Sequence, residues 1–515
     1  MSTDQPIIPG FYPDPSICRA GDTYYIVNSS FEYLPGLPIH SSTDLVTWTP
    51  VGNALTRTGQ IAEHAGVASS SIYAPTIRYH DGRFWIAGTN VLTHGGGVGQ
   101  FIITADDPAG PWSDPAHVPG TIGIDPDLAW DEDGVCRLTW TSLSAEMRGI
   151  ASVPIDPSTG ETLGEPKLLW QGTGGAHPEG PHLYRLDGWW YLLLAEGGTA
   201  RGHAATIARA RTLDGPFESA PTNPILTHRG RDHPVQNTGH ADVVQLGDGD
   251  WAMVYLGVRP RGVTPGFHVN GRETFLAGID WIDGWPVVDE SRFTVTQADH
   301  SFDDTFDTAT LDQRWLGVGM FPSSFTRRAE GPGLVIDADS GGPGIPLLAT
   351  RVRDTEWSAS ARFDATAGTG RLVMRIDKEH GCALTFDGEA VEAAVTIGPA
   401  VRTFSRLPLE RGALPTLRIS VRRPETTPHW TPDEVDIVEL SVVTDDGSEQ
   451  VLASFDGRHI STEVAGRFTG RVVGVEGLSG RVVLREMRYV SGARPAGEPT
   501  SPAVEADTAR WSDCS

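Results

Sequence analysis

Apolar and polar residues alternate along most of this chain in short runs cut by Gly, Asp and Pro, and stretches with helical apolar spacing are scarce. Alternation is the strand period, so the pattern predicts an all-β protein. One unit recurs: a polar or acidic residue opens a short apolar strand, a turn built on Asp and Gly follows, and a strand rich in aromatics returns. It reads DPSICRAGDTYYIVNSS from Asp14, APTIRYHDGRFWIAGTN from Ala74, DPDLAWDEDGVCRLTWTS from Asp125, EGPHLYRLDGWWYLLLAEGG from Glu179 and HADVVQLGDGDWAMVYLGV from His240. Gly21-Asp22, Asp81-Gly82, Asp133-Gly134, Asp187-Gly188 and Asp248-Gly249 are turn dipeptides of two-residue hairpins. The copies recur about every 50 to 60 residues, which suits a four-stranded propeller blade with long loops. STDLVTW at 42, ADDPAGPW at 105 and RTLDGPF at 211 read as outer-strand elements of the same blades. The expectation is a five-bladed β-propeller over residues 1–296.

Beyond residue 296 the repeat stops. LVIDA, LLATRV, WSASARF, RLVMRI, CALTF, LRISVRR, IVELSVV, FTGRVVGVEG and VVLREMRYV are spaced as in a β-sandwich, expected over 297–492. Residues 493–515, rich in Pro, Ala and acids, read as a flexible tail.

The propeller has a chemical consequence. The first strand of every blade lines the central channel, so Asp14, Ala74, Asp125, Glu179 and His240 should converge although they lie far apart in sequence. An Asp before Pro can also simply cap a turn, as Asp14 and Asp125 could. Three acids recurring in separate repeats favour a site. Glycosidic hydrolysis needs one carboxylic acid to protonate the leaving oxygen and one carboxylate to activate water or attack. A third acid nearby would help the first keep its proton.

Composition narrows the partners. With 66 Asp+Glu against 40 Lys+Arg, the chain lacks the basic footprint that nucleic acids or anionic membranes require. Cys18, Cys136, Cys382 and Cys514 show no metal-binding or disulfide spacing and read as free thiols. The opening MSTDQPIIPG carries neither the basic nor the apolar segment of a secretion signal, and no apolar run is long enough to span a membrane. A cytoplasmic location is the expectation.

PIIPGFYPDPSI, IDPDLAWDEDG, HPEGPHLYRLDGWWYLLLAEGGT, TGHADVV and NGRETFL together resemble glycoside hydrolase family 43, above all its β-xylosidases and α-L-arabinofuranosidases. The resemblance covers nearly the whole chain and makes the second domain a concanavalin-like β-sandwich that narrows the active-site mouth; a lectin role is the competing reading. It implies an inverting exo-hydrolase that releases terminal pentose from short oligosaccharides, β-D-xylose ahead of α-L-arabinose. By the same resemblance Asp14 is the general base, Glu179 the general acid and Asp125 the residue that raises the acid's pKa. Arg272 and Phe31 would bind the innermost sugar. Tyr73 stands where the family usually has tryptophan. His240 matches an axial histidine that in some members holds a hydrated divalent ion, often calcium, through waters; the chemistry itself requires no cofactor. Asp127 adds a fourth acid, expected to point out of the channel because alternate strand residues face opposite ways. Members of this two-domain type are often homo-oligomers. Two other readings stay open: a retaining fructan-splitting propeller, which would carry N-D-P-N-G where this chain has P-D-P-S, and a non-catalytic carbohydrate-binding propeller.

Overall fold

The computed structural model describes residues 4–92, 99–262, 266–410, 412–424, 436–444 and 447–492. The tail expected over 493–515 and Cys514 lie outside them. Five four-stranded antiparallel sheets follow one another along the chain. They run from Ser16–Ala20 to Thr49–Leu55, Thr76–His80 to Ala116–His117, Gly123–Trp130 to Lys167–Trp170, Glu179–Leu186 to Glu218–Ser219, and Gln236–Gln245 to Trp285–Asp289. These are the blades of the propeller. Each adjoining pair buries its own apolar layer. Ile77, Phe84 and Ile86 meet Val27 and Ile39 between blades one and two, and Leu192 and Leu194 meet Ala129 and Ile150 between blades three and four. Burying one such side chain contributes about 1.5–3 kcal/mol. The ring closes the same way. Ile7, Ile8, Ile17 and Ile26 pack on Ala252, Val254 and Leu276 of blade five, and Ile7 N donates to Thr274 O at 2.9 Å. Each blade keeps its four strands in chain order, blade one passing over the short Tyr33–Leu34 strand, and among the described residues no strand is exchanged between the first and last blades.

The turns divide into two kinds. Asp81-Gly82 and Asp187-Gly188 have positive φ at both positions, as a mirror-image type I turn requires, and Gly21 has it at the first. Asp133-Gly134 and Asp248-Gly249 instead sit in five-residue connections, 131–135 and 246–250. In the first, Asp131 Oδ1 accepts from Asp133 N and Val135 N at 3.1 and 2.8 Å, and Gly134 alone takes the left-handed conformation. The aspartate two residues before the dipeptide stabilises a longer loop that the Asp-Gly signal hides. The STDLVTW, ADDPAGPW and RTLDGPF segments are likewise connections into the outermost strands rather than strands, anchored by buried Leu45, Trp112 and Leu213.

The sandwich begins with Phe302–Asp304. Two segments expected as separate strand pairs are single strands, Trp357–Asp377 and Val472–Ser491, paired along their whole length. Both bend where glycines let the backbones meet: a Cβ on Gly368 would lie 2.3 Å from Ser479 O. Thr416–Arg422 pairs with the first half of Trp357–Asp377 and His380–Phe386 with the second. The two wings thus fold over a shared core containing Trp357, Ile419, Leu440, Leu384 and Leu372. Ala390–Ile397 and Ala400–Pro408 were not anticipated, because the Ala-rich first and largely solvent-facing second lack a strong apolar pattern. The outer face of one wing packs on the propeller through Val373, Ala383 and Val472 against Phe11 and Tyr33. Propeller residues Tyr33–Leu34 even add a short strand to the sandwich sheet beside Leu316–Val318.

Candidate active site

The five opening strands present successive rings of residues to the channel. At the mouth stand Asp14, Ala74, Asp125, Gly180 and His240; two residues further along each strand come Ser16, Thr76, Asp127, His182 and Asp242. Asp14, Asp125, Gly180 and His240 share a left-handed backbone, with φ of 52°, 57°, 58° and 46°. For the three non-glycine residues this is a strained state of the sort that clusters at functional sites. The register corrects one expectation: Gly180, not Glu179, is blade four's equivalent of Asp14 and Asp125. Glu179 stands one position earlier, offset from the other two acids. The Asp127 expectation is corrected as well. It faces the channel one layer below the mouth, since residues i and i+2 share a strand face.

That lower layer is a closed polar floor. Arg78 reaches across from blade two, donating to Asp127 Oδ1 at 2.6 Å and Asp242 Oδ2 at 2.8 Å. Asp127 also accepts from Thr76 Oγ1 and Leu183 N at 3.0 and 2.8 Å. Asp242 accepts from Ser16 Oγ at 2.6 Å and from the Tyr184 hydroxyl. All five blades contribute, and both aspartates are wholly buried, sharing the Arg78 cation and otherwise held by hydrogen-bond donors.

The mouth is balanced differently. Burial alone would raise the Asp14 carboxyl. Arg272, His240 and Ser29 outweigh it and hold Asp14 below its ordinary value; Arg272 Nη1 donates to Oδ1 at 2.8 Å and Ser29 Oγ to Oδ2 at 2.6 Å. Glu179 goes the other way, pushed up to about 7 by burial and then by the Asp14 charge. Asp125 is raised well above its usual range by burial and by the charges of Glu179 and Asp14, although Gly180 N donates to it at 3.2 Å. Asp125 and Glu179 therefore titrate as a pair. His240 is pushed down to about 4, chiefly by burial, and its ring packs against Gly180, where a Cβ would lie 3.0 Å from Nε2.

Aromatic walls surround these acids. Phe31 meets Tyr73 edge-on at 5.5 Å between centroids, and the Arg272 guanidinium lies 5.7 Å from the Phe31 ring. Tyr73 is tethered by its hydroxyl to Ser69 O at 3.0 Å. The structure thus brings together all seven residues singled out from the sequence. It adds Ser29, Thr199, whose hydroxyl accepts from Arg272 at 3.2 Å, and Phe468. Thr199 and Ser29 lie inside motifs already visible as EGGT and SSFEY; Phe468 comes from the sandwich and no propeller motif could reveal it. Its ring stands 6.0 Å from Phe31 and 6.1 Å from Tyr73, and its amide donates to Ser69 Oγ at 2.9 Å. The sandwich also fixes Arg272. Thr462 N and Arg471 N donate to His268 O and Val269 O at 3.1 and 2.9 Å, and Gly271 packs backbone to backbone on Gly470. A separate cavity of about 280 Å³ between the domains, lined by His40, Arg351 and Arg353, touches none of the three acids.

The surroundings of His240 do not form a direct cation cage. Asp14 Oδ1 lies 3.7 Å from its Nδ1 and is engaged by Arg272, while Asp127 and Asp242 below are engaged by Arg78. Cys18, Cys136 and Cys382 are buried free thiols, and among the described residues no helix is long and apolar enough to cross a membrane.

Known proteins resemble this chain in sequence and fold. The chain is 35% identical over 509 residues to a non-reducing end alpha-L-arabinofuranosidase of Bacteroides ovatus, covering 91% of this chain and 90% of that one. It is 41% identical over 361 residues to a xylosidase/arabinosidase of Butyrivibrio fibrisolvens, covering 64% and 68%. The crystal structure of xylan beta-1,4-xylosidase from Bacillus halodurans superposes with a TM-score of 0.84 at 29% identity, over 95% of this chain and 99% of that one. Residues 3–286 match the model of glycosyl hydrolases family 43, and with five blades, an acid-lined mouth and the sandwich all in place, the chain belongs to that family of glycoside hydrolases.

Proposed function

We propose that this glycoside hydrolase removes one terminal pentose at a time from short oligosaccharides with inversion, using Asp14 as general base and Glu179 as general acid. The carrying observation is that two carboxyls around one cavity are driven to opposite protonation states: Asp14 is held ionised by Arg272, and Glu179 is kept protonated to about pH 7 by burial and by Asp14. That separation assigns acid and base. Asp14 takes a proton from water as the oxygen attacks the anomeric carbon; Glu179 gives its proton to the departing glycosidic oxygen on the other side. Asp125, itself raised by burial and by the charges of Glu179 and Asp14, stands beside the acid as its modulator. The Arg78 ion pairs lie one layer below the acids and the Phe31, Tyr73 and Phe468 rings stand beside them, surroundings that suit a chain end.

β-D-xylose is the favoured unit and α-L-arabinose the second, in keeping with relatives named for either or both. The buried thiols support a reducing, cytoplasmic setting. Proton NMR of the first-formed sugar should show the anomer opposite to the substrate's, and a retained anomer would refute the base role of Asp14. Rates on chromogenic xyloside and arabinofuranoside, side by side, decide the sugar; no turnover of either sinks the reading.

A further inference from the structure

Away from the channel, at the outer side of blade five, His228, His233 and Glu290 bring one potential ligand atom each to within 4.8 Å of one another. They come from the connection between blades four and five and from the residue following the last propeller strand. A fourth group faces them from the other end of the ring: Asp4 Oδ1 lies 3.8 Å from His233 Nε2, too far for a hydrogen bond, and is buried without a hydrogen-bond partner. We propose that His228, His233, Glu290 and Asp4 bind a divalent ion of the zinc class that latches segment 4–8 to blade five and closes the propeller.

The ring nitrogens carry the case. Val235 O lies 2.7 Å from His228 Nδ1, whereas His233 Nδ1 lies 3.1 Å from both the oxygen and the amide of Val235. A carbonyl only accepts, so His228 carries its proton on Nδ1 and presents an Nε2 lone pair to the cluster, the arrangement that orients a histidine toward a metal. The Val235 amide donates to His233 Nδ1, so that ring holds its proton on Nε2, toward Asp4, and would release it when an ion binds. His228 Nε2 then stands 2.7 Å from Glu290 Oε1, lone pair against carboxylate, so a cation or an added proton must lie between them. Tyr255 donates to the same Glu290 oxygen at 3.3 Å, holding it in place. The two imidazole centroids are only 3.9 Å apart, close for rings that would repel if both were protonated. Two imidazoles and two carboxylates form the mixed N/O set that zinc accepts in tetrahedral geometry, at about 2.0–2.2 Å from each ligand. Binding would displace the proton held between His228 and Glu290 and spread those two atoms slightly. His228 is buried while His233, Glu290 and Asp4 are about a quarter to a third exposed, which leaves a path for entry. The latch would add to the closure that the Ile7–Thr274 bond already makes, since among the described residues no exchanged strand joins the first and last blades.

The test uses the full chain without a histidine tag, stripped by chelator, dialysed and titrated with Zn²⁺ alone. One equivalent should bind per chain and raise Tm by several degrees. His233→Ala should weaken binding by roughly a hundredfold or more and abolish the rise in Tm; Asp4→Asn should lose most of that rise. Co²⁺ added to the unmutated chain should give the intense visible bands of a tetrahedral site, a readout that does not depend on any variant folding. Absence of a stoichiometric ion, weak octahedral cobalt bands, wild-type binding by His233→Ala, or a full Tm rise in Asp4→Asn would each overturn the proposal. So would an ion that persists in His233→Ala and disappears in His240→Ala.

Discussion

Asp125 and Asp127 stand two residues apart on one strand and face one channel, yet they are handled in opposite ways. Asp127 in the floor is bonded to Arg78, Thr76 and a backbone amide. Asp125 at the mouth receives one amide and shares its space with Glu179 and Asp14. In the floor two acids share one arginine and a set of hydrogen-bond donors, whereas at the mouth three acids share one arginine and Asp125 receives a single amide. The same residue type is structural where arginine and donors satisfy it and chemical where they do not.

The contrast can be broken from the mouth first. Asp14→Ala should cut turnover by roughly 10⁴-fold with the fold intact, because the base vanishes and Arg272 merely loses one partner; kcat on a chromogenic pentoside with a circular dichroism control measures it, and a loss below tenfold would remove Asp14 from the base role. In the floor, Arg78→Met strands Asp127 and Asp242 and should cost about 3–5 kcal/mol in urea unfolding; an unchanged midpoint would mean the cluster is not the counterweight described.

The sign should reverse at the mouth. Glu179 is raised from its ordinary value to about 7, so the folded state holds a proton that the unfolded chain releases at lower pH, and stability falls as pH climbs between those two values. Glu179→Gln removes that loss: it should stabilise by about 3 kcal/mol at pH 8 and by nothing near pH 4. Equal effects at both pH values would contradict the raised carboxyl. The same variant should lose activity mainly on natural linkages and much less on phenolate leaving groups. In the unmutated enzyme kcat/KM should decline above pH 7 as Glu179 ionises, while the acid limb lies below the normal carboxylate range because Asp14 is depressed. A basic limb unaltered by Glu179→Gln would assign it elsewhere. Smallest of all, Phe468→Ala should raise KM about tenfold with kcat little changed, since the ring walls the pocket but touches no reacting group; a purely kcat effect would argue for displacement of Arg272 instead.

Local signals carried far into this protein. The strand period, the Asp-Gly turns and the repeat spacing reveal five blades because each hairpin is specified by residues adjacent in sequence. Convergence on one axis then placed Asp14, Asp125 and His240 at a common mouth. Errors arose where neighbours in space intervene. Asp131 lengthens a turn that its Asp-Gly pair seemed to complete. In blade four the ring position falls to Gly180 and the acid stands one residue earlier, where blade three has Ile124. Glycines let two pairs of apolar runs continue as two bent strands.

By itself, the order of residues determined the repeat, the all-β class and which strands open with acids, since period and turn chemistry act over a few bonds. Only the tertiary structure decided which acids are neutralised, that Arg78 plugs the channel, and that Phe468 and the backbone around Gly470 complete a site built on another domain. Charge compensation and burial depend on distances between segments remote in sequence, and those distances exist only once the ring and the sandwich have packed together.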